Sequence, residues 1–310
     1  MTRILIAVVF VISIDGYGQK IEYNLSVPGD TTQNYYVTVS PKGKIKGSLV
    51  LLPGFGELPK ETLIDCDIHK YATEAGYLTI IPALGDRFFF YMDNLSHQKL
   101  NQFIAEVFQK YNLNEKSFFI GGASLGGTMA VQYTERAYLN GSNLKKPAGV
   151  FGLDPPLDIE RLYHSMSTTN RPKKNPISIQ EDNYFTKRIQ QEFKTEPKAN
   201  PEYFWKVSPF ALTDPNHSSL RSILKVPIRI YNEPDINWYI ENRNVDYNHM
   251  NVIDSAAMIN WLKSLGNTHA ELIITSGKGY RIRNKMRHPH SWTIADGKEL
   301  VTWMDQNVHQ

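Results

Sequence analysis

One serine sits where a hydroxyl could do chemistry. Gly122-Ala123-Ser124-Leu125-Gly126 fits the pattern G-x-S-x-G, with the apolar run Phe118-Phe119-Ile120 before it. After it, Met129, Ala130, Tyr133 and Ala137 recur at helical spacing. The stretch therefore reads as a buried strand, a tight turn and a helix. Small residues flanking the serine let strand and helix approach closely. Such a turn lifts the hydroxyl above the sheet edge and puts a helix N-terminus behind it, which favours developing negative charge. A serine hydroxyl is a weak nucleophile at neutral pH, so it needs a neighbouring base, and the base needs a group to orient it.

The elements that must position these groups follow from periodicity. Residues 21–27 and 35–39 read as two strands separated by Pro28-Gly29-Asp30, placed as antiparallel additions at a sheet edge. Residues 47–52 and 78–82 are continuous apolar runs, as parallel strands buried on both faces require. A helix is expected over 62–75, ending at Gly76, and another over 96–111 with Leu100, Phe103, Ile104, Val107 and Phe108 on one side. Further strands are expected over 148–154, 226–231 and 271–275, with helices over 253–265 and 298–308. Strands alternating with helices imply an α/β protein with a mainly parallel central sheet covered on both faces. Between about 155 and 225 no parallel strand is evident, and the stretch is too long for an ordinary connection, so it is expected to be a structured helical cap insertion.

Bulk composition narrows the class. The 310 residues are 41% hydrophobic and 21% charged, enough for a sizeable core. The net charge is only +3, and the densest basic runs, Lys145-Lys146 and Arg171-Pro172-Lys173-Lys174, read as solvated loops, so nucleic acid is not an expected partner. The single cysteine, Cys66, excludes an intrachain disulfide and reads as a small buried residue on a helix. Arg3, the apolar run over 4–14 and Gly16-Tyr17-Gly18 resemble a signal peptide over 1–18 cleaved near Gly18–Gln19. That run is too short to span a bilayer comfortably, and no lipoprotein cysteine follows it. The expectation is an exported protein, periplasmic or extracellular, with no stable membrane anchor.

The chain resembles the α/β-hydrolase superfamily from residue 21 to its end, apart from the insertion. The resemblance rests on the elbow at Ser124, on Pro53-Gly54-Phe55-Gly56 after an earlier strand, and on an acid and a histidine following late strands in the order Ser, Asp/Glu, His. It implies the α/β-hydrolase fold over 19–310 with the cap over about 155–225. It also implies a serine hydrolase needing no cofactor and no metal. His290 is the implied base, with His288 as competitor. The implied acid is Asp235, with Glu233 and Asp154 as alternatives in that order. The oxyanion would be held by the N–H groups of Leu125 and Phe55. Many relatives carry histidine where Pro53 stands, but the donor lies two residues later. Aromatic residues Phe88, Phe89, Phe90, Trp238, Tyr239 and Trp292 are expected near the pocket mouth, where they would suit an apolar acyl group, an aromatic leaving group or a stacked sugar.

The function expected from this is hydrolysis of a carboxylic ester, small or linked to a glycan or peptide. A serine peptidase or acyltransferase would use the same triad. Two other classes compete: a non-catalytic binding protein on a hydrolase scaffold, and a metal-dependent hydrolase using His288-x-His290.

Overall fold

The computed structural model describes residues 11–16, 19–167, 176–217 and 219–308. The strands are β1 (Val11–Gly16), β2 (Gln19–Leu25), β3 (Tyr35–Ser40), β4 (Gly47–Leu52), β5 (Tyr77–Ala83), β6 (Phe118–Ala123), β7 (Gly149–Leu153), β8 (Ile228–Asn232) and β9 (Ala270–Ile274). Among the described residues they form one sheet in the order β1-β2-β3-β5-β4-β6-β7-β8-β9. β1, β2 and β3 pair antiparallel, and β3 is antiparallel to β5. From β5 to β9 every pairing is parallel. Every residue of β4, β5, β6, β7 and β8 is buried, which is why these strands read as unbroken apolar runs rather than alternating ones.

Two cores lie on the two faces of the sheet. One gathers Val50, Leu78, Ile120, Val150 and Ile228 against the helices α3 (Asn94–Tyr111), α4 (Leu125–Ala137) and α9 (Val252–Ser264). The other packs Leu49, Leu51, Tyr77, Phe119 and Phe151 against α2 (Ile68–Glu74) and α10 (Gly297–Gln306). Residues 62–75, expected as one helix, are two: α1 (Pro59–Asp65) and α2, with Cys66 extended between them at φ −119° and ψ 124°. The break lets both Cys66 and Ile68 enter the second core, and Pro59 starts the first helix where it lacks no needed N–H. Cys66 is buried as expected, but at a helix end rather than on a helix, and burial pushes its thiol well up.

Between β7 and β8 the chain builds α5 (Ile159–Ser167), α6 (Pro176–Phe193) and α7 (Pro201–Val207). These helices form a third core with Phe90, Met92 and Leu125, the last being the residue after the elbow serine. The basic run Arg171 to Lys174 lies outside the described residues. So does most of the expected signal segment; its described part, β1, pairs with β2 at the sheet edge. Among the described residues no helix is long and apolar enough to cross a membrane.

The strand order places the chemistry. Register pairs Leu52 with Gly122, Ala123 with Leu153, and Leu153 with Tyr231, so β4, β6, β7 and β8 end in line. The loops after these four strands therefore emerge side by side at one sheet edge.

Candidate active site

Ser124 occupies the turn between β6 and α4 with φ 53° and ψ −130°, a backbone state that side chains rarely adopt. The flanking glycines make it possible. A Cβ on Gly126 would stand 2.1 Å from the Leu52 carbonyl oxygen, and one on Gly122 would stand 2.5 Å from the Gly126 carbonyl carbon. The Ser124 N–H is held by the Leu153 carbonyl at 2.9 Å, and Ser124 Oγ makes no hydrogen bond to any described residue.

His290 Nδ1 lies 2.5 Å from Asp154 Oδ2. A hydrogen on Nδ1 donated to this carboxylate leaves Nε2 with its lone pair free for a hydroxyl. Asp154 itself follows β7 in the left-handed region, at φ 48°. It is held there by its own N–H to the Tyr231 carbonyl (2.7 Å) and by Asn251 Nδ2 donating to its carbonyl (2.9 Å). Its second carboxylate oxygen accepts from Asn232 Nδ2 at 2.6 Å. Both oxygens are thus engaged, one by the histidine and one by a fully buried amide.

The expectation that Asp235 orients the histidine is not met. Asp235 caps α8 (Ile236–Arg243), accepting from the Trp238 N–H at 3.1 Å, and its other oxygen takes Arg287 Nη2 at 2.7 Å. Glu233, the second choice, is buried under β9: it accepts from Thr275 Oγ1 (3.0 Å), from the N–H groups of Lys278 (2.9 Å) and Gly279 (3.2 Å), and from Arg287. Both acids are consumed by Arg287, which lies on the same loop as His290. They hold the histidine loop rather than the imidazole. Asp154, ranked third, is the carboxylate that reaches His290.

His288 is engaged elsewhere. Its Nδ1 donates to the His290 carbonyl (2.7 Å), and its Nε2 accepts from Arg281 Nη2 (3.1 Å). Burial, with His290 and Arg281 beside it, holds its pKa down to about 3, so the ring is neutral. Among the described residues no three His, Cys, Asp or Glu side chains are grouped to hold a metal ion.

The loop after β4 makes a tight turn, Gly54 to Glu57, closed by the Glu57 N–H donating to the Gly54 carbonyl at 3.0 Å. Gly56 sits at φ 77°, as the third position of such a turn demands. A methyl group on Gly54 would stand 3.6 Å from Ser124 Cβ, so the turn runs against the elbow. Three of its four N–H groups are taken: Gly54 by Glu57 Oε2 (2.9 Å), Gly56 by the Arg87 carbonyl (2.8 Å) and Glu57 by Gly54. The Phe55 N–H alone has no partner among the described residues. Leu125, at the first position of α4, has an N–H that no intrahelical carbonyl can reach.

Glu57, next in the chain after Pro53-Gly54-Phe55-Gly56, carries no mark of a role in the sequence. Its carboxylate also accepts from Trp292 Nε1 at 3.0 and 3.2 Å, and burial raises its pKa. Asn232, Asn251 and Arg287 were missed as well; nothing local marks an amide or guanidinium that acts through a strand neighbour.

Ser124 and His290 face two clefts. One, of about 290 Å³, is lined by Phe55, Glu57, Tyr280, Arg281 and Trp292. The other, of about 200 Å³, is lined by Leu162, Met166, Phe185, Trp238 and Tyr239. Of the aromatics expected at a pocket mouth, Trp238, Tyr239 and Trp292 line these clefts, Phe88 and Phe89 are partly exposed, and Phe90 is packed inside.

No family model and no curated protein matches this sequence. Solved structures do. A Pyrococcus horikoshii acylaminoacyl peptidase aligns with a TM-score of 0.55 at 12% identity, over 97% of this chain and 41% of its own. This chain thus spans about two fifths of that peptidase's length. An S-formylglutathione hydrolase from Agrobacterium tumefaciens aligns with a TM-score of 0.54 at 11% identity, over 96% of this chain and 99% of its own. A truncated carbohydrate esterase from gut microbiota aligns with a TM-score of 0.57 at 13% identity, over 89% and 91%. At these identities the likeness carries architecture, and it does so over nearly the whole chain: this is a protein of the α/β-hydrolase fold.

Proposed function

We propose that this protein is an exported serine hydrolase that cleaves carboxylic esters. The observation that carries the reading is the 2.5 Å bond from His290 Nδ1 to Asp154, on a histidine that shares its cleft with the elbow serine. Ser124 Oγ attacks the ester carbonyl while His290 Nε2 takes the hydroxyl proton. The tetrahedral oxyanion is held by the N–H groups of Leu125 and Phe55. Asp154 steadies the imidazolium without taking its proton. Collapse of the intermediate expels the alcohol, which receives the proton from His290, and leaves an acyl group on Ser124. Water, activated by His290, then releases the acid and restores the enzyme. The serine–histidine contact of such sites commonly tightens only when substrate is bound.

The test is labelling with a fluorophosphonate, wild type beside Ser124→Ala, followed by p-nitrophenyl esters of increasing acyl length and their anilide counterparts. Labelling confined to the wild type, with ester turnover exceeding anilide turnover, supports the reading. A folded wild type that does not label sinks it and shifts weight to a binding role. Activity that labels but favours anilides makes the protein a peptidase.

A further inference from the structure

Glu57 has a job that the triad does not account for. Its carboxylate is the junction between two loops that come from opposite ends of the chain. On one side it accepts the Gly54 N–H at 2.9 Å, pinning the turn whose next amide is Phe55. On the other it accepts the indole N–H of Trp292, two residues beyond His290, at 3.0 and 3.2 Å. The side chain is half-buried, and no lysine or arginine is in ion-pair contact with it among the described residues. The carboxylate also lines the cleft that Ser124 and His290 face. The turn could be closed by its own backbone bond from Glu57 to Gly54.

We propose that Glu57 is a positioning residue: it fixes the Phe55 N–H toward the oxyanion and couples that amide to the loop bearing His290. This rests on the reading of Ser124, His290 and Phe55 given above. The reason is one of inventory. With Gly54, Gly56 and Glu57 N–H groups all spent, the plane of the Gly54–Phe55 peptide decides where the one remaining N–H points. Glu57 Oε2 holds the residue at one end of that peptide, and the contact of Phe55 with Phe185 (ring centroids 4.7 Å apart) holds the other. The effect should appear in the transition state alone, because an oxyanion donor matters only once negative charge has formed.

The experiment is steady-state kinetics on Glu57→Ala, Glu57→Gln and Trp292→Phe, with fluorophosphonate labelling rates beside them. Losing one oxyanion donor costs about 10²–10³-fold in kcat. Glu57→Ala should lose about 10²-fold in kcat with KM within about threefold, and its labelling should slow in parallel. Glu57→Gln keeps an acceptor for the Gly54 N–H and should recover most of that loss. Trp292→Phe keeps an aromatic ring and removes the donor; it should lower kcat about tenfold at unchanged KM. Combined with Glu57→Ala it should add little, since Glu57→Ala already removes the acceptor of the indole N–H. Should Glu57→Ala not fold, Trp292→Phe and Glu57→Gln decide: a kcat unchanged in Trp292→Phe overturns the proposal. So does a Glu57→Ala enzyme whose kcat is intact or whose only change is a raised KM. If Ser124→Ala also turns over substrate, the underlying reading has failed; if turnover needs Ser124 and ignores Glu57, only this inference has.

Discussion

At the scale of residues, three acids compete for one histidine, and geometry separates them. Asp154 and Asp235 are both carboxylates at strand ends one strand apart, but only Asp154 touches the imidazole. Asp154→Asn should cost about 10³–10⁴-fold in kcat, because the amide can offer His290 Nδ1 an N–H where an acceptor is needed and so favours the wrong tautomer. Asp235→Asn should cost less than about tenfold, since the Arg287 contact it weakens is shared with Glu233. Steady-state kinetics of the two variants check this. A larger loss at Asp235 would return the acid to the position that sequence order favours. Asp154 was legible as a candidate because it follows a buried strand. Its rank was not, because Asp154-Pro155-Pro156 is equally good turn chemistry.

At the scale of elements, α6 and the aromatic loop after β5 are tied together beside the site. Glu192 accepts the Phe90 N–H at 3.1 and 3.2 Å, while Arg188 lies 4.7 Å from the Phe89 ring centre. Burial raises Glu192 to about 7. The folded protein then holds this proton at pH values where the unfolded chain, near 4.5, has lost it. That contribution to stability is fully present below pH 4.5 and is lost as pH rises through 7. Glu192→Gln keeps an acceptor for Phe90 and removes the titration. Its melting temperature, minus that of the wild type, should therefore climb across this window and level off above it. Melts from pH 4 to 8.5 would show the trend, and parallel curves would refute it. That this segment is a structured insertion was legible from its length. Its contact with Phe55 and Leu125 was not, since rings at positions 55, 90 and 185 carry no mark of meeting.

At the scale of the whole molecule, the expected cleavage near Gly18–Gln19 removes β1 and leaves β2 as the sheet edge. Among the described residues β1 pairs only with β2, whereas β2 is held along its other side by β3. β2 also carries the charged pair Lys20–Glu22 (2.8 Å), a feature that discourages edge-to-edge association. A chain beginning at Gln19 should fold, melt within about 2 °C of the longer form, which corresponds to about 1 kcal/mol for a domain of this size, and keep the activity proposed above. N-terminal sequencing of protein collected outside the cytoplasm should begin at Gln19. A truncated chain that aggregates would make β1 part of the fold and count against export by this signal.

What the sequence determined by itself is what neighbours along the chain determine. Unbroken apolar runs named the buried strands of a parallel sheet. The small residues around Ser124 named the elbow, because Gly122 and Gly126 stand where backbone carbonyls leave no room for a side chain. What the tertiary structure decided is what strand order and loop path determine. β7 lies between β6 and β8, so the loop after it stands nearer the elbow than the loop after β8 does. The two acids after β8 were taken up by Arg287, and Glu57 was set between Gly54 and Trp292, residues 238 positions apart in sequence. A carboxylate's partner depends on which loops share its edge of the sheet, and no local pattern records that.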